Sequence, residues 1–175
     1  MQPKVTKPTL SVLFSIDTFI SPYRKHFSNK FQLNWSSIPF TPPPKRAFDF
    51  LTFPFKLTSK KIKTFFSSRG TDIICVEFAD ETLALVSKLR KEKMIVTRLH
   101  RYELFNLPSA DWSAVDLVIV VNNWMGKNLE QKVPSLKGKI VCIPNFVDTN
   151  YWHKSENRLI NNQLSLVELD VNLIQ

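Results

Sequence analysis

Six segments read as strands: Leu10–Phe14, Gln32–Trp35, and four short apolar runs at similar intervals, Asp72–Val76, Met94–Leu99, Leu117–Val121 and Ile140–Ile143. The last four are rich in Ile and Val, and most are apolar on both alternations. That pattern suits strands buried on both faces of a parallel sheet. Between them lie segments with helical spacing. Ser21-Pro22 opens one, with Tyr23 and Phe27 on a common face. A second is expected from Thr58, with a Leu57–Ile62 staple, a buried stripe of Ile62, Phe65 and Phe66, and Gly70 to end it. Asp80 caps a third over Thr82–Lys93, whose Lys and Arg residues gather at the C-terminal end and complement the helix dipole. A fourth runs from about Trp124 to Val133 with Asn123 as its cap, and Pro134 stops it.

Strands alternating with helices predict an α/β domain. The expected form is an open parallel sheet with helices on both faces, Rossmann-like, joined by right-handed crossovers. Residues 39–57, which hold Pro42-Pro43-Pro44, Lys45-Arg46 and several Phe, are expected as a long Pro/Phe-rich loop.

The chain of 175 residues is long enough for one domain with a core of its own. Cys75 and Cys142 each lie in an apolar run and read as buried small hydrophobes, with no metal-ligand spacing around them. No stretch is long and apolar enough to span a bilayer. Lys4 and Lys7 precede an apolar run as in a signal peptide, but Asp17 interrupts it, so the run is read as a first strand and the protein as cytoplasmic. The net charge of +9 is unevenly spread. Residues 1–110 carry 18 Lys/Arg against 8 Asp/Glu, whereas residues 111–175 carry 6 against 7. Such a basic surface attracts nucleic acid, anionic lipid or diphosphates, or is simply a solvated face. No reading motif for nucleic acid is interleaved with it, and no nucleic-acid partner is expected.

In open α/β sheets ligands bind beyond the carboxyl ends of the strands. The residues there are Asp17 after the first run, Glu77 and Asp80 after the third, and His100, Arg101 and Glu103 after the fourth. Asn122 follows the fifth, and Asn145 and Asp148 follow the sixth. His100 suits proton transfer near neutral pH, and equally suits capping the strand end. Glu77 and Glu103 can accept pairs of sugar hydroxyls, or form ion pairs with Arg98 or Arg101. Asn145 and Asp148 follow a proline and can simply fix a turn. With only three glycines the chain contains no G-x-G-x-x-G and no Walker A loop. No cofactor and no metal is expected.

The stretch from Asp72 to Trp152 resembles the N-terminal domain of family-4-type glycosyltransferases, which have two Rossmann-like domains. Three pieces carry the resemblance: DIICVEFADETLALVSKL, a strand ending at an acidic residue and then a helix; IVTRLHRYEL, a strand ending at a histidine; and IPNFVDTNYW, similar to the PNGVD segment that closes that domain. Phe146 stands where the family has glycine. Residues 1–152 would form the acceptor-side domain. Residues 153–175 would be a linker and the first strand (QLSLVEL) of a second domain whose remainder is missing. The resemblance implies transfer of a sugar, hexosyltransferase-like, from a nucleotide-sugar donor to a glycan or lipid-linked acceptor. His100 and Glu77 would be the catalytic pair. Asp17, Glu103, Arg101, Asn122, Asn145 and Asp148 would contact substrate. The donor would bind only with a second domain, supplied in the same protein or by a separate subunit, and the chain alone would be inactive. Anionic membrane at the inner face is a further implied partner. The alternative is a non-catalytic remnant or partner-binding module, and after these a nucleic-acid binder using the basic region.

Overall fold

The computed structural model describes residues 6–18, 20–41, 44–89 and 92–145. Six strands, β1 (Thr9–Phe14), β2 (Gln32–Ser37), β3 (Ile73–Val76), β4 (Met94–Leu99), β5 (Leu117–Val120) and β6 (Ile140–Cys142), form one sheet in the order β2-β1-β3-β4-β5-β6. Every neighbouring pair is parallel. The strands are those expected from the apolar runs, to within two residues at each end.

The helices are α1 (Arg24–Lys30), α2 (Ala47–Ser68), α3 (Glu81–Leu89), α4 (Arg101–Phe105) and α5 (Asn123–Lys132). Strand alternation sorts the core into two layers. Leu10, Val12, Phe14 and Cys75 pack with Tyr23, Phe27 and Phe31 around α1. Leu13, Ile74, Val76, Ile95, Leu99, Val118 and Val120 pack with Leu83, Val86, Leu104, Met125 and Leu129 of α3, α4 and α5. Each fully buried aliphatic side chain contributes on the order of 2 kcal/mol of transfer free energy. The two layers follow from topology. Right-handed crossovers place the β1–β2 helix on one face and those of the oppositely directed crossovers on the other.

Two expectations are corrected. The first concerns residues 39–57: α2 starts at Ala47, so most of the anticipated loop is helix and Thr58 caps nothing. Asp49 starts it instead, its carboxylate accepting from the Arg46 and Lys45 amides at 3.0 and 3.3 Å. Pro54 is exposed within the helix, where its ring costs one i→i−4 bond. The second is the buried stripe. Ile62, Phe65 and Phe66 are exposed, while Lys60, Thr64 and Ser68, four residues apart, are buried. The reason lies at the helix end. Ser11 and Asn34 (2.7 Å for the latter) donate to the Ser67 carbonyl, and Thr71 (2.8 Å) and Lys93 donate to that of Ser68. These bonds satisfy orphan C-terminal carbonyls and fix the helix's rotation. Lys60 adds an ion pair to Glu81 at 2.9 Å. Gly70, with φ of +70°, follows the helix as expected.

The chain divides into two units, residues 1–144 and 145–175. No helix among the described residues is long and apolar enough to cross a membrane.

Candidate functional site

In this strand order the direction of progression reverses between β1 and β3, the place where doubly wound sheets open a crevice at their carboxyl edge. Glu77 follows β3 there. Its amide donates to the Leu13 carbonyl at 2.9 Å, which continues the β1–β3 ladder by one residue and turns the side chain inward. The residue is 0% exposed. Arg98, from β4, reaches Glu77 Oε1 with Nη1 at 3.3 Å, and His100 brings Nε2 to the same oxygen at 3.2 Å. Glu77 Oε2 is buried without a hydrogen-bond partner among the described residues.

A carboxylate can only accept, so beside the Arg98 guanidinium Nε2 of His100 carries the proton and donates. The ring is stacked on Phe78, with centroids 4.5 Å apart and planes at 21°. The His100 amide donates to Glu103 Oε2 at 2.7 Å, and the two residues form the capping box of α4. His100 is therefore fixed through its ring and its backbone by groups on three sides. Its side chain keeps 15% of its surface.

Two further carboxyls surround this cluster. Burial pushes Glu103 above the usual carboxylate range, against the backbone amides and the His100 charge that favour ionisation. Burial also raises Asp80, whose Oδ1 accepts from the Thr82 amide at 2.6 Å and starts α3. The arrangement holds the imidazole beside a shielded carboxylate, a setting in which a ring can hold or pass a proton in a fixed tautomer.

The structure brings Glu77, His100 and Glu103 together, with Asp80 close enough to Glu103 to act on its charge. The Glu77–Arg98 ion pair, one of the two readings of Glu77, is formed. Glu77 is sealed from solvent, so it positions His100 and does not itself offer oxygens to a ligand in this conformation. Glu103 is likewise turned to the α4 cap. Arg101 is exposed on the first residue of α4. Asn122, in place of Asn123, caps α5, with Oδ1 accepting from the Met125 amide at 2.9 Å. Asp17 is exposed, and its carbonyl accepts from Ile20 and Ser21 at 3.0 and 2.7 Å in a turn. Asn145 is exposed and opens the second unit, and Asp148 lies outside the described residues. Phe78 was not singled out from sequence. The only signal for it is its place one residue beyond a strand-ending acid, where an aromatic ring can floor the rim. No His/Cys/Asp/Glu cluster among the described residues has the form of a metal site.

No protein-family model and no curated protein matches this chain.

Proposed function

We propose that residues 1–144 are the acceptor-side half of a sugar-nucleotide transferase with two Rossmann-like domains. The observation that carries this reading is His100, pinned by Glu77 and Glu103 at the carboxyl edge of a doubly wound sheet, next to the strand-order reversal. The sequence resemblance over Asp72–Trp152 supports it independently. In this reading the accessible part of the His100 ring meets the transferred sugar or an acceptor hydroxyl. Arg98 and Glu77 hold the ring, and Phe78 supplies a flat apolar floor of the kind that suits a sugar ring. The groups that neutralise the departing diphosphate come from a second domain, in the same protein or in a separate subunit. That charge stabilisation is ordinarily a large share of transfer catalysis.

The burial of Glu77 and the use of Glu103 as a cap favour a second reading, a non-catalytic module in which the cluster is purely structural. One experiment separates them. The chain is co-expressed with the product of the reading frame adjoining its own, and transfer from labelled nucleotide sugars to glycan or lipid extracts is measured. The first reading expects a complex that transfers sugar, and a loss of roughly a hundredfold or more in His100→Ala with the complex retained and the variant still folded at the assay temperature. Absence of transfer, or equal transfer by His100→Ala, selects the second.

A further inference from the structure

Helix α2 turns polar side chains inward and apolar ones outward. Lys60, Thr64 and Ser68 are buried, whereas Phe48 (71% exposed), Leu51 (71%), Phe55 (77%), Ile62 (52%) and Phe65 (46%) lie on the other side of the helix. Single exposed hydrophobes need no explanation, but a continuous row of them marks a contact surface. The spacing of the row is specific. Phe48, Phe55 and Ile62 recur every seven residues, and Leu51, Thr58 and Phe65 repeat the same step three residues later. These are the a and d positions of a coiled-coil seam, with the exposed Thr58 its one polar member. So narrow a stripe fits another helix laid along it.

The two ends of the seam are complementary to each other. At the N-terminal end Phe48 and Leu51 stand out as a ridge. At the C-terminal end Ile62, Phe65 and Phe66 combine with Leu85 and Leu89 of α3 around an open apolar groove of about 410 Å³. A two-fold axis through the middle of α2 lays the ridge of each copy over the groove of the other, because an isologous contact forms every pairing twice. With the helices antiparallel, Phe48 faces Phe65 of the second copy, Leu51 faces Ile62, and Phe55 faces Thr58 beside the axis. All of these layers fit within the 22 residues of α2, a length of about 33 Å. At about 150–200 Å² for a fully exposed side chain, the five apolar residues present roughly 550 Å² per copy. The pair would bury roughly 1,000 Å² or more, enough for a specific interface.

The lysines stand clear of this seam. Lys56 and Lys63 lie outside the a and d rows. Lys61 flanks them, but in the antiparallel register the two Lys61 residues are offset by about 14 Å along the axis. That exceeds the roughly 8 Å over which exposed charges act at physiological salt. We propose that the chain forms a two-fold dimer by antiparallel pairing of α2, with Phe48 and Leu51 of each copy seated between α2 and α3 of the other. The proposal needs no sugar transfer and stands apart from the functional reading above.

The test is sedimentation velocity of the full chain through the micromolar range, at low and high salt. The expected result is a reversible dimer that salt leaves intact or tightens. Phe55→Asp sets two like charges beside the axis and removes two ring burials per dimer. It should raise the dissociation constant roughly a hundredfold or more. Residue 55 faces solvent in a single copy, so the far-ultraviolet circular dichroism of the folded chain should be kept. The register is read by cysteine pairing in a Cys142→Ser background. Under mild oxidation Leu51→Cys mixed with Ile62→Cys should give a disulfide-linked dimer, while neither variant links to itself. A wild-type monomer throughout the range overturns the proposal, as does a dimer that Phe55→Asp leaves intact. Self-linking of Leu51→Cys overturns it too, since that result demands parallel helices. A monomer that floats with anionic vesicles assigns the face to lipid and likewise overturns it.

Discussion

Replacing Glu77 by Gln tests whether the buried cluster is held by charge. The change keeps shape and leaves an oxygen to accept, but removes the negative charge shared by Arg98 Nη1 and His100 Nε2 at 3.3 and 3.2 Å. Arg98, 7% exposed, then loses the Glu77 charge beside its guanidinium. Two charge-assisted hydrogen bonds weaken, each worth roughly 1.5–3 kcal/mol. Breaking a buried pair from one side ordinarily costs about 3–5 kcal/mol. The substitution should therefore cost about 3 kcal/mol, near the lower end because the amide still accepts one bond. For a chain of this size that lowers Tm by roughly 6–12 °C. The assay is urea unfolding followed by circular dichroism, with an unchanged slope required as proof that the unfolding transition is the same. Arg98→Met should be destabilising on its own. Glu77→Gln combined with Arg98→Met should cost less than the sum of the two, with a coupling energy of about 1–3 kcal/mol. A Glu77→Gln cost below about 0.5 kcal/mol, within the usual range for surface changes, refutes the reasoning. Strict additivity of the pair does so too.

Burial pushes the Cys75 thiol up to about 12. Cys75 should thus resist a thiol-specific disulfide reagent in the folded chain while the half-buried Cys142 reacts, and equal rates for the two would contradict that burial. Gly70→Ala places a side chain at φ +70° in open space, so backbone strain alone should cost about 1–2 kcal/mol; a neutral result in the same urea assay would remove the positive φ. Glu103 is raised from its ordinary 4.5 by burial, so the folded state holds its proton more tightly than the unfolded chain. Its contribution is most favourable below 4.5 and is lost as pH rises through the folded value. Glu103→Gln, which can still close the capping box, should flatten that part of the Tm–pH curve, and an unaltered curve would assign the slope to another group.

The sheet was readable because its central strands are largely buried, which leaves Ile- and Val-rich runs such as IIC and VIV. The start of α2 was hidden by Pro42–Pro44 and by Pro54, residues that ordinarily forbid a helix but are tolerated where the lost bond faces solvent. Its rotation was hidden for a different reason. Periodicity shows that Ile62, Phe65 and Phe66 share a side, and it assigns that side to the core by default. The bonds from Ser11, Asn34 and Lys93 that decide otherwise join residues far apart in sequence. Of the rim residues, His100 and Glu77 could be found by their places after apolar runs. That Glu77 would be sealed beneath Arg98 could not, because either Arg98 or Arg101 satisfied the same charge rule. Asn122 went to a cap, the more ordinary use of an asparagine before a helix.

β1 is the earliest of the six strands in the chain, yet it lies in the interior of the sheet, between β2 and β3. Its Leu13 cannot gain a neighbour on the β3 side until Val76 has been made, and parallel pairing offers no hairpin to shelter it meanwhile. The nascent chain must therefore carry an apolar strand with its β3-side edge unsatisfied through more than sixty residues of synthesis, a condition that favours chaperone contact and slow, late acquisition of the native sheet.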